Sequence, residues 1–140
     1  MQIEHFTQHD VRDFPIVRFT GATTEGYAAL WCAEMDRLLT SDRRFVLIYP
    51  QRNQDEAHAD RVARGQWLKR NKAALAARCL ALIVVEPDAA RRAGMEAMFP
   101  NLVKAFGTPQ ATRATAAEAE SLARFLLTGG ALAEAATVAA

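Results

Sequence analysis

The chain has 140 residues, which leaves room for one domain and very little else. Apolar residues make up 51% and charged residues 24%, a globular composition that excludes an intrinsically disordered chain. A formal net charge of +1 gives the molecule as a whole no pull toward nucleic acid or an anionic membrane. The first segments predict a hairpin: Ile3 to Thr7 alternates weakly, Asp10 to Asp13 is polar and turn-like, and Phe14-Pro15-Ile16-Val17-Arg18-Phe19 is rich in β-formers and closes at Gly21. Pro15 places the start of the second strand near a sheet edge.

Thr23 and Thr24 are N-cap candidates for a helix running to about Thr40. Its apolar stripe is Tyr27, Leu30, Trp31, Met35 and Leu38, with Glu25, Glu34, Asp36 and Arg37 off the stripe. Phe45 to Tyr49 is a continuous apolar strand ended by Pro50, the pattern of a strand buried on both faces. After the polar segment Gln51 to Gln54, Asp55 is placed to cap a long helix to about Ala77. Leu80 to Val85 is a second continuous strand, stopped by Pro87, and Asp88 caps a shorter helix. That helix is expected to stop near Phe99, because Pro100 disfavours helical backbone in the residue before it. Leu102-Val103-Lys104-Ala105-Phe106 reads as a fifth strand ended by Gly107. Thr115-Ala116-Ala117-Glu118 is a capping box for a last helix with Ala119, Leu122, Phe125 and Leu126 inward, closed by Gly129-Gly130.

The order β-β-α-β-α-β-α-β-α predicts an α/β fold: a single mixed, mostly parallel five-stranded sheet covered by four helices, with the hairpin as an antiparallel edge. No repeat or linker divides it, so residues 1–130 read as one domain and 131–140 as a flexible, Ala-rich tail. The N-terminus lacks the basic flank and apolar core of a signal peptide, and the longest apolar run, Cys79 to Val85, is far short of a bilayer span. Cys32 and Cys79 are too few for a disulfide framework and are expected to be reduced and buried. A cytoplasmic protein is the expectation.

No catalytic constellation stands out. His58 lies in the first turn of the long helix with Asp55, Glu56 and Asp60 nearby, and a carboxylate can orient a histidine as a base. Acids in a first helical turn are equally what the helix dipole favours. His5, His9, His58 and Asp55 give no metal-ligand spacing, the cysteines give no Cys-x-x-Cys, and the glycines give no phosphate-binding fingerprint. No catalytic residue, metal or cofactor is therefore expected. Thr20 to Thr24 is small enough to approach an anion, and equally reads as a plain turn and cap.

The local charge is more informative. Residues 52–78 carry seven cations against Asp55, Glu56 and Asp60, a balance of +4, while the rest of the chain nets −3. Arg and Trp dominate binding hot spots, so Arg52, Arg61, Arg64, Trp67 and Arg70 are candidate partner-binding residues. Charge runs on helices are also commonly a wet face, and Trp67 is also a reasonable core residue. Tyr27, Trp31, Met35 and Met98 are candidates to line an apolar ligand pocket, against the plainer reading of a filled core.

The hairpin, the Thr/Gly turn into a helix, the central strand Phe45-Val46-Leu47-Ile48, the stretch Trp67-Leu68-Lys69-Arg70-Asn71-Lys72 before strand Leu80 to Val85, and Phe99-Pro100 together resemble the SpoIIAA-like (STAS-type) proteins over residues 2–127. The resemblance implies a non-enzymatic role, either regulatory contact with a protein partner or binding of a small lipid-like ligand between helices and sheet. In anti-sigma-factor antagonists of this fold a serine after the third strand is phosphorylated as a switch. The corresponding Pro50-Gln51-Arg52-Asn53-Gln54-Asp55 has no Ser or Thr, so that switch does not transfer. The expectation is a binding or regulatory module using helix 55–77 and its flanking loops, with homodimerisation permitted. The alternatives are a carrier of an apolar ligand and a small enzyme using His58.

Overall fold

A computed structural model describes residues 5–50 and 56–132. Five strands, β1 (His9–Asp10), β2 (Ile16–Phe19), β3 (Phe45–Tyr49), β4 (Cys79–Val85) and β5 (Gln110–Arg113), form one sheet in sequential order. Helices α1 (Ala28–Thr40), α2 (His58–Arg70), α3 (Lys72–Arg78), α4 (Ala89–Phe106) and α5 (Ala116–Leu127) complete the fold. β1 pairs antiparallel with β2 through His9–Phe19 and Asp10–Arg18, and every later pair is parallel. The expected mixed, mostly parallel five-stranded sheet with an antiparallel edge is therefore present.

Sequential order has a physical consequence. Right-handed crossovers between neighbouring parallel strands all fall on one face. Accordingly α1, α2 and α3 bury Trp31, Met35, Leu38, Trp67 and Leu75 against Val17, Phe19, Phe45, Leu47 and Cys79. α4 continues that layer, lying against β5 and α2. α5 alone covers the other face, where Ala119, Leu122, Ala123 and Leu126 meet Ile16, Val46, Ile48, Ala81, Ile83 and Ala111. Leu132, within the expected tail, also packs on this second core; residues 133–140 lie outside the described ones.

Four sequence expectations are corrected. The first strand is His9–Asp10, after the Ile3–Thr7 segment, of which residues 5–7 are not strand and 1–4 lie outside the described residues. The long helix is two helices, because Asn71 leaves helical geometry and its side-chain N–H₂ donates to Trp67 O at 2.9 Å. α4 continues through Pro100 to Phe106. Pro100 leaves the Glu96 carbonyl without its helical donor, but both residues are exposed, so water can take that place. Leu102–Phe106 is thus the last part of α4, which ends where Gly107 adopts φ 79° and donates to Val103 O at 2.7 Å. The fifth strand is the polar Gln110–Arg113, paired to Leu82–Val85.

The expected caps at Asp88 and Thr115 are present, their side chains accepting from Ala90 N and Glu118 N. Thr23 and Thr24 do not cap α1. Asp60 of α2 does so across the helix pair, accepting from Gly26 N at 2.9 Å and Ala28 N at 3.2 Å.

Candidate functional site

Helix α2 is held to the fold by an unusual inner face. Asp60 and Trp67 are buried, and Ala63, Arg64, Leu68 and Asn71 are half-buried, a spacing of three and four that marks one side of a helix. Much of this side is polar, and its groups are matched. Besides the Asp60 cap, Trp67 donates from Nε1 to Asp36 Oδ1 at 2.8 Å and meets the Trp31 ring edge-on at 5.4 Å. Arg64 grips Glu56 with two bonds of 2.6 and 2.8 Å, its guanidinium 5.6 Å above the Trp31 ring. The Tyr27 hydroxyl donates to the same Glu56 carboxylate, and Trp31 Nε1 donates to the Tyr49 hydroxyl at 2.7 Å. Burial and the Glu56 bond raise the Tyr27 pKa. Burial opposes the Arg64 charge, but Glu56 more than offsets this and raises its pKa.

Opposite this face, His58, Arg61, Val62, Gln66, Lys69 and Arg70 are exposed. Arg61 keeps 64% of its side chain in solvent and reaches Glu56 only at 3.7 Å. Lys69 and Arg70 have no carboxylate partner among the described residues. No carboxylate of α2 points outward, since Asp60 is consumed by the cap.

The candidate partner-binding residues therefore divide. Arg61 and Arg70 lie on the outward face, and Arg52 lies outside the described residues. Trp67 and Arg64 are inward: the indole fills core volume and satisfies Asp36, and the guanidinium is spent on Glu56. Neither is presented to a partner. Of the candidate ligand-lining residues, three share one core and the fourth lies apart. Tyr27, Trp31 and Met35 fill the core, whereas Met98 is 58% exposed on α4. His58 is exposed; Asp60 is committed to α1 and Asp55 lies outside the described residues.

Three features escaped the sequence reading of α1. Leu30, expected inward, is 53% exposed, and Glu34, expected outward, is buried. Glu34 accepts from the backbone N–H groups of Thr7, Gln8 and His9 at 2.8 to 3.1 Å and faces His9 Nδ1 at 3.0 Å. Three consecutive N–H groups of the chain entering β1 thus replace the water a carboxylate would lose on burial. Finally, the far end of α1 and the segments before β2 and β3 enclose a cleft of about 420 Å³ lined by His5, Phe6, Phe14, Arg37, Thr40, Ser41 and Arg43.

Both cysteines are free. Cys79 is buried and its thiol pKa is pushed up to about 12 by burial, while the half-buried Cys32 is raised in the same direction for the same reason. Neither is activated as a nucleophile. Among the described residues no group of three His, Cys, Asp or Glu could hold a metal ion, and no helix is long and apolar enough to cross a membrane. No protein-family model matches the chain, and no curated protein or solved structure matches it.

Proposed function

We propose that this chain is a non-enzymatic binding module, on a SpoIIAA-like (STAS-type) fold, that docks an acidic protein surface on the outward face of α2. The observation that carries the reading is the segregation of charge on that helix. Its carboxylate is turned inward to cap α1, while Arg61, Lys69 and Arg70 stand outward beside the exposed Val62. Cations held on a rigid helix, Lys69 and Arg70 with no carboxylate partner among the described residues and Arg61 with only a 3.7 Å approach to Glu56, attract and orient an anionic partner, and an apolar residue among them supplies the desolvated centre. The polar inner face keeps the helix fixed, so the presented side chains are not lost to rearrangement on binding. Support for the fold assignment is the order of elements: an antiparallel first strand, three parallel crossovers and a capped last helix on the opposite face. A carrier gains no support, because three of its four lining residues fill the core. An enzyme gains none either, because His58 is exposed with no acid beside it among the described residues.

The test is the triple variant Arg61→Glu, Lys69→Glu and Arg70→Glu. Partners captured by the wild type are identified, purified and titrated against both proteins at two salt concentrations. The expected result is a salt-sensitive complex weakened by at least about 100-fold in the variant, from the loss of three rim charges and their reversal. A folded triple variant that binds the purified partner as tightly as the wild type would overturn the assignment.

A further inference from the structure

We propose that the cleft at the amino-terminal end of β2 and β3 binds a small phosphate monoester carrying an apolar or aromatic body. Arg37 and Arg43 hold the phosphate, and Phe6 and Phe14 contact the body. The site is separate from the α2 face and does not depend on the reading of that face.

Its charge is the first argument. Arg12, Arg18, Arg64, Arg78, Arg91 and Arg124 each meet a carboxylate within 4 Å. Among the described residues Arg37 and Arg43 meet none. Their guanidiniums lie over phenyl rings instead, Arg37 5.8 Å from the centre of Phe6 and Arg43 5.5 Å from the centre of Phe14. Among the described residues no carboxylate lines the cleft; Asp42, next in sequence to Ser41, is fully exposed and pairs with Arg78 at 3.9 Å. Two cations thus line one cavity with no carboxylate among the described residues to neutralise them. Arg37 also donates to the His5 carbonyl, and each guanidinium, held near a ring, keeps most of its five donors unused for an oxyanion.

An opposing effect has to be weighed. The cleft sits at the carboxyl end of α1, where the helix dipole repels anions. Here two of the last four helix carbonyls, and that of the cap residue Ser41, are occupied. Thr40 Oγ1 donates to Arg37 O at 2.6 Å, Ser41 N to Leu38 O at 3.3 Å, and Arg78 to Ser41 O at 2.9 Å. The Ser41 hydroxyl accepts from Arg43 N at 3.2 Å, which leaves its own proton to donate into the cleft. The helix end therefore contributes a donor alongside the two guanidiniums.

The class of ligand follows from charge and size. A phosphate monoester carries close to two negative charges near neutral pH and matches two guanidiniums, whereas a carboxylate neutralises only one. A volume of about 420 Å³ exceeds what bare phosphate fills and falls within the range of small-molecule sites. The phenyl edges beside the arginines supply apolar contact for the remainder.

The experiment is a titration of the ¹⁵N-labelled full chain with phenyl phosphate, followed by amide shifts, with inorganic phosphate, benzoate and benzyl alcohol as comparison probes. The expected result is saturable shifts confined to the amides around Phe6, Phe14 and residues 37–43, with phenyl phosphate the tightest of the four. Arg37→Gln and Arg43→Gln should each weaken it by about tenfold or more, since each removes charge-assisted hydrogen bonds. Arg37→Lys and Arg43→Lys retain the charge but lose the fork; they should weaken binding less, and they serve if a Gln variant does not fold. Scattered or absent shifts, or folded variants that bind as the wild type does, would overturn the site. Inorganic phosphate binding as tightly as phenyl phosphate would refute the apolar body, and benzoate binding as tightly would refute the dianion.

Discussion

Glu34→Gln tests the most heavily bonded side chain in the fold. The carboxylate, 1% exposed, receives Thr7 N and Gln8 N on Oε2 at 2.9 Å each and His9 N on Oε1 at 2.8 Å. Glutamine has the same shape but turns one oxygen into an N–H₂ group. Whichever way the amide lies, at least one backbone N–H of the chain entering β1 then faces a donor, and the bonds to the remaining oxygen lose their charge. A buried donor left unsatisfied costs about 1–3 kcal/mol, and a bond to a charged group contributes about 1.5–3 kcal/mol. The substitution should therefore destabilise by about 3–4 kcal/mol, a large share of the roughly 5–15 kcal/mol of a typical domain. Urea unfolding at neutral pH should show this as a lower midpoint with an unchanged slope.

The pH dependence gives an independent check on the same bonds. Burial alone would raise the Glu34 pKa, but the hydrogen bonds from His9, Gln8 and Thr7 outweigh it and hold the group at about 2 against an ordinary 4.5. A carboxyl depressed on folding contributes stability that is fully present above its unfolded pKa and is lost as pH falls through its folded one. The window is therefore from about pH 5 down to about pH 2, and the shift corresponds to about 3 kcal/mol. The glutamine variant has no such group, so its deficit relative to the wild type should shrink across that window. A deficit below about 1 kcal/mol at neutral pH, or one that stays constant to about pH 2, would refute the account of Glu34 as an acceptor for three backbone donors.

Gly65 in α2 and Gly94 in α4 have open space where a Cβ would stand, so Gly65→Ala and Gly94→Ala should each stabilise by about 0.5–1 kcal/mol, read as a rise in Tm. A loss of stability from either would show that the helix surface there is occupied. Trp67→Phe should cost about 2 kcal/mol by leaving Asp36 without its indole donor and shrinking the core, yet leave partner binding through α2 unchanged. Weaker partner binding by the folded variant would return Trp67 to the contact surface. Cys79 should resist alkylation in mildly alkaline buffer until the chain unfolds, while Cys32 reacts sooner; mass spectrometry of the labelled protein separates the two, and native labelling of Cys79 at the rate of a free thiol would contradict its burial.

The legible parts of the sequence were those whose signal is local. Phe45–Tyr49 and Cys79–Val85 are apolar runs bounded by proline, and Thr115 with Glu118 marks a helix start, so the central strands and α5 follow from composition and spacing. The illegible parts depend on partners distant in the chain. Glu34 belongs to a polar class on any scale, and only the chain entering β1 makes its burial tolerable. The inner face of α2 contains Asp60 and Arg64, so hydrophobic periodicity is nearly absent and the helix reads as an outward binding surface throughout. Arg37 and Arg43 carry no motif: their joint placement over Phe6 and Phe14 exists only after α1 and the turn before β3 are folded. β5 is four residues with alternate polar character, weaker as a signal than the apolar Leu102–Phe106 beside it.

The position of α4 ties several of these misreadings to one cause. In a sheet of sequential order the last crossover helix lies over the edge strand, with no further helix beyond it to complete its burial. Its inward residues Met95, Phe99, Leu102, Val103 and Phe106 are consequently only half-buried, and no residue of the helix is fully enclosed. Partial enclosure is also what lets Pro100 stand inside the helix, since the carbonyl it strands reaches water and not a core. The exposure of Met98 follows from the same edge placement and needs no ligand to account for it. The opposite face shows the reverse case. There a single helix must cover four strands, and its buried Ala119, Leu122, Ala123 and Leu126 share one core with Ala81 and Ala111 of the sheet. Four of the ten buried residues of this core are alanine, and their small side chains let one helix close it.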